Sequence, residues 1–393
     1  DVLAPPGPVR TIHAPPVTGL VIDAHLAESN PGYAELAREV GVRSLIDPLT
    51  FNWQIEASPT SPFARLPFGA DRRGVLGHGI AGAADRVVEF EITHGASTLV
   101  IPYLHVDDPS GPFATLNLDL MAAAAVAAER HDVRIPAIAV LSGDRQKLTT
   151  PDGLAYIDRW VAQAAGLGVG TIALCTSPAG SQSDSVGSIL RVLTIADRVQ
   201  TGGLPVIMWR QGAYGLGLCA AGLDGYETGI GQFETTDIRG RMNRTKDHKP
   251  IAEDEEFRRP KRGVMMGLWN RSLAHRAADV LLHSSLAGDI MCTTPGCCTT
   301  IESTLERQRH HAVRTRAHQL DQLGDRLGDR PARWHLTHYL NDLTPAIGTA
   351  RRANEILASA GEKTRVPVAG LTSLAEAFDR WGQAASQIGR SAG

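Results

Sequence analysis

Several scarcities bound what this 393-residue chain can be. It has only five cysteines, too few for a disulfide scaffold. Aromatic residues make up 5%, so the core has to rest on aliphatic side chains and alanine. No apolar run reaches the roughly 18 residues that a membrane-spanning helix needs. The opening DVLAPPGPVR lacks the basic-then-apolar order of a signal peptide and has no initiating methionine, so a processed or trimmed N-terminus is expected. A strong charge of one sign is also missing. A formal net charge of −3 gives no overall basic footprint for nucleic acid and leaves room only for a local patch. A cytoplasmic enzyme without membrane contact is the expectation.

What is present is an alternation. Apolar runs rich in β-formers fall at 19–25, 44–51, 97–106, 135–141, 171–177 and 204–210. Alanine-rich segments of helical length separate them at 81–94, 116–131, 151–167 and 185–200. Short buried runs flanked by helices indicate βαβ units around a parallel sheet. Two later runs, 222–230 and 279–286, raise the count to eight, which predicts a (β/α)8 TIM-type barrel. No G-x-G-x-x-G follows the first run, so a dinucleotide-binding open sheet is the weaker expectation. The barrel is expected over 1–290, with a polar insertion at 232–263. A Cys/His loop and C-terminal helices packed on the barrel are expected over 291–393.

A barrel carries its chemistry at the C-terminal ends of its strands. Those ends offer Asp23, His25 and Glu28; Asp47; Tyr103, His105, Asp107 and Asp108; Ser142, Asp144 and Arg145; Cys175 and Ser177; Arg210, Gln211 and Tyr214; and Tyr226 and Glu227, with Glu234 a little beyond. Apolar strand bodies with polar, titratable tips point to an enzyme or a small-molecule binder. An arginine at such a rim suits bidentate pairing with carboxylate or phosphate. Cys175 and Cys219, in apolar surroundings, read as small buried hydrophobes.

The remaining cysteines crowd into MCTTPGCCTT, at Cys292, Cys297 and Cys298. Packing alone does not explain three thiols in a polar loop. Three thiolates and one imidazole make a closed tetrahedral zinc site, and a Pro295-Gly296 turn would let the thiols converge. A structural zinc is therefore expected, with His311 the first choice for fourth ligand and His338 the second.

A barrel with such a loop after its last strand resembles the tRNA-guanine transglycosylase superfamily, including relatives that insert deazapurines into DNA. Asp47 in LIDPLTF, the Gly222-Leu223 pair followed by Glu227, and Asp289 in GDIMC carry the likeness. It implies an aspartate nucleophile, Asp47 or Asp289, with the other assisting as acid or base. It also implies a purine edge bonded by Asp107 and Gln211, a ring stacked on Tyr103 or Tyr226, and a base loop at Gly222, Leu223 and Glu227. Arg210 lies at the same mouth. A tRNA or DNA substrate would flip its base into that mouth, and Arg239, Arg241, Arg244, Lys246 and Lys249 would meet phosphates. The sequence departs from the family in lacking D-S-G-G-F-Q and in spacing its cysteines C-x4-C-C. The same rim, with a catalytic metal at Asp23, His25 and His105, would instead suit a lyase or hydrolase acting on a small anionic metabolite. A non-catalytic binding protein is the third reading. It requires the mouth to be blocked or the rim carboxylates to be neutralised by ion pairs.

Overall fold

The computed structural model describes residues 17–70, 75, 79–180, 184–229, 234–248, 263–327 and 332–391. Ten strands occur among them: β1 (Gly19–Asp23), β2 (Arg43–Asp47), β3 (Leu99–Val100), β4 (His105–Val106), β5 (Ala137–Asp144), β6 (Thr171–Ser177), β7 (Val206–Met208), β8 (Gly225–Tyr226), β9 (Val264–Met266) and β10 (Arg271–Leu273). β1 pairs with β2 in parallel, and β3, β5, β6, β7 and β8 follow one another in parallel, with β4 beside β5. An isolated parallel bridge, Leu45 to Thr98, joins the two groups. The result is a mixed α/β fold around a parallel sheet.

Both faces of that sheet are buried, as parallel sheets require. Along β5 and β6, Ile138, Val140, Ala173 and Cys175 enter one core cluster, together with Ile22 of β1, Ile46 of β2 and Trp209 beyond β7. Their neighbours Ala139, Leu141, Ile172 and Leu174 enter a second cluster against the surrounding helices. A period of two thus divides each strand between an inner and an outer core. Residues from β1 and β7 share the inner core because the sheet curls. Among the described residues, no hydrogen-bonded pairing joins β8 to β1.

The flanking helices begin on recognisable signals. Thr150 caps Pro151–Gly166 by accepting from the Gly153 amide, with proline at the first helical position. Ser185 caps Val186–Gln200 in the same way. The C-terminal helices Ala332–Ser359 and Val368–Ser391 bury Leu336, Tyr339, Ala350 and Phe378 in the same cluster as the outer sheet face. None of the described helices is long and apolar enough to cross a membrane.

Two expectations about elements need correcting. Segment 279–286 is not a strand: His275–Leu282 is a helix burying Ala277, Ala278, Leu281 and Leu282, a 3.6-residue period rather than a two-residue one. The last strands are the antiparallel hairpin β9–β10 instead. The third run divides into β3 and β4 around Pro102, which has no amide to give to a ladder. Half of the expected polar insertion, including Lys249, lies outside the described residues.

Candidate functional site

Arg210 organises the strand ends. It follows β7 with a positive φ of 60°, a left-handed conformation that is uncommon away from glycine. Its Nη2 lies 2.7 Å from Asp23 Oδ1, at the end of β1, and 2.5 Å from Asp47 Oδ2, at the end of β2. Its amide donates to Glu227 Oε2 at 2.7 Å. Arg241, on the helix Ile238–Lys246, completes the group at 3.0 Å from Asp23 Oδ2.

Asp47 is wholly buried, at 0% exposure. Its carboxylate accepts from the Leu49 amide, the Tyr103 hydroxyl, Trp209 Nε1 and Arg210. A carboxylate with that many donors is an anchor for its neighbours. Asp23 and Glu227 are only partly buried and respond to their surroundings in opposite ways. Burial works against the Asp23 anion, but Arg210 and then Arg241 outweigh it and hold the group well below the usual carboxylate range. Burial pushes Glu227 up, only partly offset by Arg210. Burial also lowers His25, beside Asp23, towards its neutral form.

Other expected residues are placed less centrally. Tyr103 is buried against Phe51, with ring centroids 5.8 Å apart, and offers no open face for stacking. Gln211 is buried and donates to Thr236 Oγ1 at 2.6 Å. Asp107 stays at the rim, held low first by hydrogen bonding from His105 and then by Arg239, which lies 2.9 Å away. His105 spends Nδ1 on Ser142 and faces Asp107 with Nε2, so it is not gathered with His25 and Asp23.

Gly222 and Leu223 precede β8 and therefore lie at the end of the sheet opposite the rim. There Gly222 accepts from Gln200 Nε2, while neighbouring Asp224 accepts from the first amide of β7. Asp289 does not join Asp47. Its side chain is 50% exposed and pairs with Arg352 at 2.8 Å. The short helix Ala287–Ile290 buries Ile290 and turns its acidic residue outward.

The second centre is the cysteine loop. Cys292, Cys297, Cys298 and His311 place their ligand atoms within 4.8 Å of one another, a group that could hold a metal ion. Cys297 Sγ and Cys298 Sγ are 3.6 Å apart and lie 3.6 Å and 3.4 Å from His311 Nδ1. Gly296, at φ 66°, makes the turn that folds the loop. Hydrogen bonding from Cys297 and His311 draws the Cys292 thiol down to about 3 against its burial, while Cys297 is pushed up by the same contact. His311 sits on the helix Gln308–Leu327, whose Arg316 donates to the Gly212 carbonyl at 3.0 Å and pairs with Glu234 at 2.8 Å. The helix therefore runs from the cysteine loop to the segment just beyond Arg210.

No family model matches this chain, and no curated protein matches it. Among solved structures it is similar to the carboxyl transferase domain of Rhizobium etli pyruvate carboxylase, solved with pyruvate and biocytin. The TM-score is 0.29 and the identity 12% over 79% of this chain. The chain spans 62% of that structure's length. A likeness this low carries no argument about the site.

Sequence reasoning missed the part played by Arg241, expected on phosphates and found on Asp23. It also missed Trp209 as an Asp47 donor. The signal for Trp209 was a tryptophan immediately before the rim arginine.

Proposed function

We propose that this chain is a base-exchange enzyme. It would replace or insert a purine-type base in nucleic acid through an aspartyl glycosyl intermediate, on a TIM-type barrel stapled by a structural zinc. The observation that carries the reading is the pair of carboxylates on Arg210, Asp23 at 2.7 Å from its Nη2 and Glu227 at 2.7 Å from its amide. Against its burial, Arg210 and Arg241 lower Asp23, and burial raises Glu227. Two carboxyl groups driven apart in this way divide nucleophile from acid.

In the proposed reaction the Asp23 carboxylate attacks the anomeric carbon. The glycosidic C–N bond breaks as the new C–O bond forms, and Glu227 delivers its proton to the departing base nitrogen. The incoming base reverses these steps, returning a proton to Glu227. Asp47 takes the role of anchor for Arg210, and Asp107 that of a partner for the purine edge.

Zinc is the metal that the donor set favours. A tetrahedral zinc ion holds its sulfurs about 3.8 Å apart and sulfur from nitrogen by about 3.5 Å, close to the 3.6, 3.6 and 3.4 Å separations in the loop. Its chemistry here is structural, since three thiols and an imidazole leave no open position.

The test is incorporation of a labelled purine or deazapurine into tRNA or duplex DNA by the metal-loaded protein. Incorporation is expected, with Asp23→Asn and Glu227→Gln each slowing it at least about 100-fold. No incorporation into either nucleic acid by the wild type would overturn the reading. One observation favours a non-catalytic binder: both Asp23 and Asp47 are neutralised by ion pairs. Tight purine binding without exchange would select it.

A further inference from the structure

We propose that Arg241 is a specificity gate on Asp23, covering its carboxylate until a phosphate of the substrate takes the guanidinium. The proposal rests on the base-exchange reading, in which Asp23 attacks. The helix that carries the arginine, Ile238–Lys246, reads IRGRMNRTK, with four cations and no acid. Ile238 and Met242 sit one turn apart and enter the inner core. At about 100° per residue, Arg239 and Arg241 then project on either side of that apolar stripe.

Each arginine finds a carboxylate at the strand ends. Arg239 lies 2.9 Å from Asp107, just beyond β4, and Arg241 lies 3.0 Å from Asp23, at the end of β1. Asp23 is thereby held through both oxygens, Oδ1 by Arg210 and Oδ2 by Arg241. An attacking carboxylate has to offer an oxygen lone pair to carbon, so one of these two bonds must give way. Arg210 is ill placed to yield. It bridges Asp23 and Asp47, and its side chain is 6% exposed. Arg241 makes the longer contact to Asp23, and its side chain is 13% exposed.

The helix itself is fixed at both ends. The Ile238 amide donates to Ser177 Oγ at 3.0 Å, and the Thr245 carbonyl accepts from the Ser58 amide at 3.1 Å. The moving part is therefore the arginine side chain. Arg244 and Lys246 are exposed on the same helix and favour the approach of a polyanion. A phosphate offers the fork the same paired oxygens as a carboxylate, so Arg241 exchanges one charge-assisted partner for another. A free nucleoside has no such group to give. The gate thus selects a base that is carried on a phosphodiester backbone.

The experiment is carboxyl footprinting of the full, metal-loaded chain with glycine ethyl ester and a carbodiimide, read by peptide mass spectrometry. Inorganic pyrophosphate is the probe, because it supplies phosphate without a base or sugar to fill the mouth. Labelling of Asp23, referred to that of Asp289, should rise at least about tenfold on saturation, the effect expected for release of a charge-assisted bond. In Arg241→Met it should be high without pyrophosphate and indifferent to it, with Arg241→Lys in between. Circular dichroism confirms that each variant is folded, and the wild-type response needs no variant at all. The second readout is discrimination. The preference in kcat/KM for an oligonucleotide over the free nucleoside should narrow at least about tenfold in Arg241→Met. Footprinting requires no turnover, so a pyrophosphate-dependent footprint without exchange overturns the base-exchange reading and leaves the gate standing. Asp23 labelling unmoved by pyrophosphate, or an unchanged preference in Arg241→Met where exchange occurs, would overturn the gate.

Discussion

His311 donates its Nε2–H to the Met265 carbonyl oxygen at 2.7 Å. That bond leaves Nδ1 as the acceptor nitrogen, turned towards the thiols of Cys297 and Cys298. A carbonyl partner of this kind fixes the tautomer and ring orientation of a metal-binding histidine.

Elemental analysis should therefore find one zinc per chain, lost in Cys297→Ser and in His311→Ala. Because thiolates and neutral imidazole bind the metal, release should begin as the pH falls and protons compete for the ligands. A zinc content unchanged in both variants would place the metal elsewhere.

Arg210→Met should destabilise the fold by about 3–5 kcal/mol, since it strands the Asp23 and Asp47 charges in the interior. The pH dependence has a definite sign. Asp23 is depressed in the folded state, so its contribution is present above the ordinary carboxylate pKa and disappears as the pH falls through the folded value. Removing Arg210 raises that folded value, so acid unfolding of the variant should begin at higher pH. Urea denaturation across an acid pH series checks both effects.

Glu91 should behave in the opposite way. It is buried on the inner side of helix Ile80–Thr93 and accepts from the Val100 amide at 2.8 Å, while its other oxygen has no partner. Burial raises it well above 4.5. A raised carboxyl favours folding at low pH, and the benefit is lost as the pH climbs through the folded value, at up to about 1.4 kcal/mol per pH unit. Glu91→Gln should flatten that slope and leave the protein more stable than wild type at alkaline pH. Parallel slopes for the two proteins would sink the assignment.

Asp289→Asn should change little. An exposed pair such as Asp289–Arg352 contributes about 0–1 kcal/mol. Exchange activity, where present, should survive the substitution. A loss of two or more orders of magnitude in turnover would return Asp289 to the catalytic group.

Much of the sheet was legible in the sequence because parallel strands are buried on both faces and read as continuous apolar runs; β1, β2, β5, β6 and β7 lie where those runs fall. The hairpin β9–β10 was not, since three-residue strands beyond a charged stretch leave no periodic signal. The cysteine loop announced its ligands through composition, and the structure brings His311 to them rather than leaving the choice with His338. Asp289 lies half exposed beside Arg352, a placement that a motif likeness does not encode, since it says nothing about which side of a four-residue helix faces inward. Arg145 and Asp184 meet only after two strands and their helices have folded, so no local pattern connects them.

The helix carrying His311 also touches both the cysteine loop and the backbone beside the rim. Five residues after the imidazole, Arg316 holds the Gly212 carbonyl, two positions from Arg210. Chelation at a loop made of a few thiols should therefore loosen the purchase of one arginine on the backbone next to another. Events in the cysteine loop would then be transmitted to the charge balance at the rim without any ligand passing between them.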